Sequence, residues 1–283
     1  MKRKGDRYNE TLMGGDYSSQ FLNELRFPNY AGLHCLIRAR RLVSAVRSVQ
    51  RTFYRSPAAS PLSVSQQTTL ILSALEGQQE HYRTHRWAYM EDVLDSALHV
   101  RLVSEWPNRM FLDPPREILK SYDSGFRWER GKRDPDYLER HPTLKVFLDY
   151  LRSESFGRRM SAFIGGHRQI SCYSFVVTST HPGSCVAPHR DSVYYSPEAR
   201  HFLNVLFFIN GSGGSRSGGL SILKDNHFSE ILFEPTRLQN TALIYDSGAP
   251  FFHGFRPIAK GKFRWAVAAQ FCAPDFFKQK TWL

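Results

Sequence analysis

The chain has 283 residues, with 41% hydrophobic, 14% aromatic and 23% charged side chains, an ordinary globular composition with ample material for a core. Lys and Arg number 38 against 26 for Asp and Glu. This surplus suits an anionic substrate, cofactor or partner, but the basic residues are scattered and no zinc-finger, KH or RNP pattern is present, which argues against nucleic-acid binding.

The start, "MKRKGDRYNETLMGGDYSS", is polar, and residues 1–30 read as a flexible N-terminus. A secretory signal would place an apolar stretch after the basic residues, and none follows. No apolar run approaches the roughly 20 residues needed to span a bilayer. The four cysteines, Cys35, Cys172, Cys185 and Cys272, form no CxxC and lie far apart. Four reduced thiols in a cytoplasmic protein is the simplest reading.

Residues 31–165 read as a helical portion covering a later core. "GLHCLIRARRLVSAVRSVQRTF" (Gly32–Phe53) has apolar residues at helical intervals with arginines between them. It reads as a surface helix with a solvated basic face, or as a docking helix for an acidic partner. "YRSPAASPLS" (Tyr54–Ser63) reads as a linker or loop. In "MEDVLDSALHVRLVSEWP", Leu94, Leu98 and Leu102 fall four apart, which predicts a packed helix stopped by Pro107. "KSYDSGFRWERGKRDPD" (Lys120–Asp136) mixes charge with aromatics and suits a substrate lid or a polar loop. "PTLKVFLDYLRSESFGRRMSAFIGG" is helical again, opened by Pro142 and ended by Gly165-Gly166.

After Gly166 the pattern changes. "RQISCYSFVVTST", "HFLNVLFFING", "GGLSILK", "SEILFEP", "NTALIYDSG" and "KFRWAVAAQFCA" are short apolar runs separated by turn residues. They predict strands of a β-sandwich or jelly roll over 166–275, with 276–283 as a tail and the whole as one structural unit. Helices first and strands afterwards make the fold class α+β.

At the centre of "HPGSCVAPHRDSVYY" stands His189-Arg190-Asp191. A kinase catalytic loop would continue H-R-D-L-x-x-x-N and be followed by D-F-G; neither is present. The glycine-rich "GSGGSRSGG" comes after HRD and lacks G-K-[ST], so it is not a P-loop. Metal binding fits better. Residues i and i+2 of a strand share a face, so His189 and Asp191 can turn toward one ion. His253, just after one strand and just before the last, supplies the third ligand of a 2-His-1-carboxylate set suited to ferrous iron. Eleven residues on, Arg264 interrupts an apolar strand, and a guanidinium there needs an anionic partner. His181, His201 and His227 read as ordinary surface or core histidines. Gly218-Gly219 reads as a bulge or close-packing device, and Asn204 and Gln270 lie on strands with no face assigned.

With His189-x-Asp191, "GGLSIL", "NTALIYDSGAPFFHGF" and "GKFRW" in this order, the chain resembles the iron(II)/2-oxoglutarate-dependent oxygenases. Within them it is most similar to the prolyl-4-hydroxylase-like branch, which includes small-molecule hydroxylases of bacterial biosynthesis. The resemblance covers about Tyr82 to Phe271 and is strongest from Tyr173. It implies a double-stranded β-helix in which His189, Asp191 and His253 hold Fe(II), and in which Arg264 pairs with the C5 carboxylate of the cosubstrate 2-oxoglutarate. Tyr173 would be a second cosubstrate contact, and Arg256 is the competing arginine. Relatives of the plant type often carry Ser two residues after the arginine; here Ala266 stands there. The implied reaction uses O2 and 2-oxoglutarate to oxidise an unactivated C–H bond. Hydroxylation is expected, with desaturation or ring formation as variants, and Asp191 excludes the chloride-accepting halogenase site. The expected substrate is a small metabolite with an anionic group, free or tethered to an acidic carrier protein. A peptidyl (prolyl) hydroxylase and a non-catalytic cupin-like binding protein are the alternatives.

Overall fold

The computed structural model describes residues 74–107, 120–121, 124–130, 133–134, 136–166, 169–180, 182–191 and 203–273. The expected N-terminal segment, the 32–53 helix, the 54–63 linker, His181, His201, Cys35 and the 276–283 tail lie outside the described residues. The chain separates at Pro61, and every described residue belongs to the unit Leu62–Leu283.

Four α-helices are described: α1 (Gln79–His85), α2 (Ser96–Glu105), α3 (Pro142–Arg152) and α4 (Glu154–Phe163). The strands are β1 (Trp87–Glu91), β2 (Lys120–Ser121), β3 (Ser124–Glu129), β4 (Ser171–Thr180), β5 (Cys185–His189), β6 (Leu203–Gly211), β7 (Ser221–Leu223), β8 (Ile231–Phe233), β9 (Thr241–Asp246), β10 (Phe252–Phe255) and β11 (Arg264–Cys272). They form two antiparallel sheets. The major sheet has the order β1-β9-β6-β11-β4-β3, and the minor sheet has the order β2-β5-β10-β7-β8. This is the expected α+β jelly roll.

The core has two layers, and the major sheet separates them. On β6, Val205, Phe207 and Ile209 join one apolar cluster, and Leu206 and Phe208 join the other. Strand alternation sends successive side chains to opposite faces, so an uninterrupted apolar run means burial on both sides. The outer layer is helical. Leu144, Phe147, Leu148 and Leu151 form one stripe of α3, and Phe156, Met160 and Phe163 one stripe of α4. Phe147 meets Phe207 edge-on at 5.3 Å between ring centroids. The inner layer lies between the sheets, with Val186, Ile222 and Phe255 facing Leu206, Phe208, Leu243 and Ala266.

Three sequence expectations change. The single helical stretch expected from Pro142 to Gly166 is two helices. Ser153 ends α3 and caps α4, its Oγ accepting from Phe156 N at 3.2 Å. Within Lys120–Asp136, the stretch Ser124–Glu129 is a strand and not a loop: β3 pairs with β4 along its whole length, and Phe126 and Trp128 enter the helical-side core. Its charged residues hid an edge strand, since Arg127 between them faces outward. Finally, β1, β2 and β3 all precede Gly166, so the sheets draw strands from the portion expected to be helical.

α2 matches its prediction in place. Asp95 caps it by accepting from Ala97 N at 2.9 Å and Leu98 N at 3.2 Å, and it stops before Pro107. Cys172, Cys185 and Cys272 are buried, and burial pushes the Cys185 thiol up to about 11, far from thiolate reactivity at neutral pH. Among the described residues no helix is long and apolar enough to cross a membrane.

Candidate metal and cosubstrate site

The site is built by the register of two minor-sheet strands. On β10, His253 stands directly opposite His189 of β5, and the ring centroids are 4.2 Å apart. His253 therefore lies within a strand, not between strands as the sequence suggested. Between this pair and the next one, Phe255 opposite Val186, β5 carries one residue more than β10. This is a β-bulge, and it falls at Ala187-Pro188. Pro188 has no N–H to give to a ladder, so a bulge is where it is tolerated. The bulge lets Val186 and His189 both face the space between the sheets, although their spacing is odd. It also pushes β5 toward β10. A Cβ on Gly254 would lie 2.6 Å from Val186 O and 3.0 Å from Pro188 N. Glycine after His253 is thus required by the bulge that aims His189.

Asp191 follows β5 and turns to the same point. Its Oδ1 is 3.6 Å from Nε2 of His189 and 3.6 Å from Nε2 of His253. One ligand atom from each of the three residues lies within 4.8 Å of the others, and all three residues are buried. His189 Nδ1 is 2.9 Å from Ala187 O, which fixes Nδ1 as the protonated nitrogen and leaves the Nε2 lone pair facing Asp191. The other carboxylate oxygen, Oδ2, accepts from Asn204 Nδ2 at 2.8 Å. Burial by itself would raise the Asp191 pKa, but in the metal-free site the facing His253 and His189, when protonated, hold it well below the usual carboxylate range. Two imidazole nitrogens and one carboxylate oxygen, converging on one point, form the donor set of a facial triad and fit ferrous iron.

Asn204 belongs to a row that crosses the inner face of the major sheet. Trp87 pairs with Tyr245, Tyr245 with Asn204, Asn204 with Gln270, and Gln270 with Ser174. The Tyr245 ring lies 4.7 Å from that of His253. The strand status of Asn204 was legible in the sequence; its bond to Asp191 was not, because it depends on the β6–β5 juxtaposition.

Arg264 begins β11 and is 3% exposed. Its Nη1 donates to Gly218 O at 2.7 Å, and its guanidinium lies 4.4 Å over the Phe255 ring. Gly218 has φ 86°, and a Cβ there would lie 2.7 Å from Ile258 Cδ1, so both conformation and space demand glycine. Phe255 is two residues beyond His253 on one face of β10, about 7 Å along the strand. That puts the guanidinium roughly one five-carbon diacid away from the histidine pair. Arg256 is engaged elsewhere: its Nη2 donates to Phe228 O at 3.0 Å and its guanidinium stacks on Phe228 at 5.0 Å. Ala266 faces the space between the sheets with no hydroxyl to offer.

Tyr173 does not stand beside Arg264. Arg264 pairs with Thr180, while Gln270 pairs with Ser174, so Tyr173 lies at the other end of β11, about 20 Å along the strand. Its hydroxyl donates to Gln270 Oε1 at 2.9 Å. The two residues cannot grip one carboxylate. His227 is exposed in the β7–β8 loop, as expected of a histidine without a site role.

No protein-family model matches the chain, and no curated protein matches it in sequence. Solved structures do. A prolyl hydroxylase from Trichoplax adhaerens, in complex with a hypoxia inducible factor peptide fragment, aligns with TM-score 0.54 at 13% identity, over 77% of this chain and 97% of that one. A prolyl 4-hydroxylase from Phytophthora capsici aligns with TM-score 0.54 at 11% identity, over 80% of this chain and 70% of the other. The non-heme alpha ketoglutarate dependent epimerase SnoN of nogalamycin biosynthesis aligns with TM-score 0.50 at 11% identity, over 71% and 83%. At this identity the likeness shows a shared fold alone: the chain has the double-stranded β-helix of these three structures.

Proposed function

We propose that this protein is an Fe(II)/2-oxoglutarate-dependent oxygenase that hydroxylates an unactivated C–H bond of a small metabolite. The observation that carries the reading is the register pair His189–His253 with Asp191 Oδ1 equidistant from both Nε2 atoms at 3.6 Å. A non-catalytic binding module has no need of a converging, buried donor set with an asparagine trimming the carboxylate.

His189, Asp191 and His253 would hold the metal. When bound, iron with 2-oxoglutarate and O2 supplies the oxidising power for C–H hydroxylation, with succinate and carbon dioxide as co-products. The rest is the work of this chain. Asn204 keeps one Asp191 oxygen occupied so that the other serves the metal. Arg264 anchors the C5 carboxylate through a planar fork of N–H donors in a site from which water is largely excluded. Phe255, Leu206 and Ala266 line the apolar space between anchor and metal and keep it dry. The basic surplus that suggested an acidic carrier as partner is concentrated in residues 1–73, which hold 11 of the basic but only 4 of the acidic residues. Nothing in the site as built calls for a carrier, and the substrate class we favour is a free small molecule.

Anaerobic titration tests the reading. Fe(II) followed by 2-oxoglutarate is expected to give a weak visible charge-transfer band at one equivalent of each. A protein that binds iron without the band, or binds neither, is not this enzyme.

A further inference from the structure

The row that carries Asn204 continues to Gln270, whose side chain has no role in the site as built above. Gln270 stands opposite Asn204 on one side and Ser174 on the other. Its Oε1 accepts two hydrogen bonds, from Tyr173 OH at 2.9 Å and from Ser174 Oγ at 2.7 Å. Consecutive residues of a regular strand face opposite ways. Here the register shift between Gln270 and Phe271 brings both β4 hydroxyls to the same side. With both hydroxyls donating to Oε1, the planar amide group is held in one orientation.

The amide nitrogen is thereby turned away from β4. Among the described residues nothing accepts a hydrogen bond from Gln270 Nε2, and the residue is partly exposed. What lies beside it is the metal site: directly opposite residues of an antiparallel pair have Cβ atoms about 5 Å apart, and the opposite residue is Asn204, which holds Asp191. Along the same face of β11 the sequence reads Arg264, Ala266, Ala268, Gln270. Two methyl groups thus separate a guanidinium at one end from an oriented amide donor at the other. The Cα atoms of Arg264 and Gln270 are about 20 Å apart, so a five-carbon diacid meets both only through the reach of the two long side chains.

We propose that Gln270 Nε2 donates to the C1 carboxylate of the 2-oxo acid bound at His189, Asp191 and His253, with Tyr173 and Ser174 as positioning residues that keep the nitrogen facing it. This rests on the function proposed above. It also gives Tyr173 an indirect place in cosubstrate binding, through Gln270.

The test uses the full chain loaded anaerobically with Fe(II) and titrated with 2-oxoglutarate, reading the strength and position of the visible band. Gln270→Leu removes one hydrogen bond to a charged group and is expected to weaken 2-oxoglutarate about tenfold and to shift the band, since the basicity of the chelating carboxylate changes. Gln270→Glu still accepts from Tyr173 and Ser174 but sets a carboxylate against a carboxylate, and is expected to weaken binding more than Gln270→Leu. Tyr173→Phe should move both readouts the same way by a smaller factor. Iron affinity without cosubstrate and the thermal midpoint of Gln270→Leu should stay close to wild type. A merely structural role would lower the midpoint and leave the band position unchanged, and that result overturns the proposal. So does wild-type 2-oxoglutarate affinity in both Gln270 variants while Arg264→Leu loses it, an outcome that leaves the proposed function standing. If wild-type protein shows no band, the functional reading fails first and the Gln270 assignment with it.

Discussion

The two sheets solve different problems. The major sheet is long and buried on both faces: β4 runs 10 residues, β6 and β11 run 9 each. The minor sheet is short, with 3 residues each in β7 and β8 and 4 in β10; register shifts occur in both sheets, at β10–β5 and β7–β8 here and at β11–β4 and β11–β6 in the major sheet. Both histidines come from the minor sheet. Asn204, which bonds Asp191, comes from the major one, as do Arg264 and Gln270, the residues proposed to hold the cosubstrate. A long ladder backed by a helical layer holds long polar side chains to a fixed geometry. A short, bulged sheet lets His189 be re-aimed at little cost to the core. The two histidine ligands thus stand on a short wall and the polar residues that face them on a long floor.

The sharpest way to break this division is to remove a ligand from the wall. His253→Ala should abolish iron binding almost entirely, and His227→Ala, an exposed control, should leave it unchanged; equilibrium dialysis with Fe(II) reads both. Next comes the anchor on the floor. Arg264→Lys exchanges a bidentate fork for a point charge and should weaken 2-oxoglutarate by about one to two powers of ten, corresponding to ~1.5–3 kcal/mol. Arg264→Leu should weaken it further, and Arg256→Leu should bind normally. A reversal between the two arginines would move the anchor off β11. Asn204→Ala leaves all three ligands but frees Asp191 Oδ2, and should cost about 10- to 100-fold in iron affinity. An unchanged affinity would show that the floor does not orient the wall. The smallest effect on the site is expected from Phe207→Ala. It opens a cavity on the helical side and should cost about 3–5 kcal/mol of stability by denaturant unfolding. Iron affinity of the folded fraction should remain as in wild type.

Much of this was legible in the sequence, and the failures have physical causes. β6, β9 and β11 were visible as apolar runs because both of their faces are buried. β3 was not, because an edge strand needs only alternate apolar residues, and "SGFRWE" hides Phe126 and Trp128 among charges. β10 was missed because four residues, one of them glycine, leave no pattern; the strand exists because β5 and β7 flank it. The ligand types and their order could be read from His189-x-Asp191 and His253. The bulge at Ala187-Pro188 and the need for Gly254 could not, since both follow from the pairing of β5 with β10, strands far apart in sequence. Tyr173 was expected at the cosubstrate; its distance from Arg264 along β11 is a property of register, and its bond to Gln270 depends on a shift in that register.

The most direct test of the central claim is anomalous diffraction at the iron edge from crystals grown anaerobically with Fe(II). A single peak is predicted within coordination distance of His189 Nε2, Asp191 Oδ1 and His253 Nε2, with added 2-oxoglutarate extending from it toward Arg264. No peak at this point, or a peak held by other residues, would contradict the account.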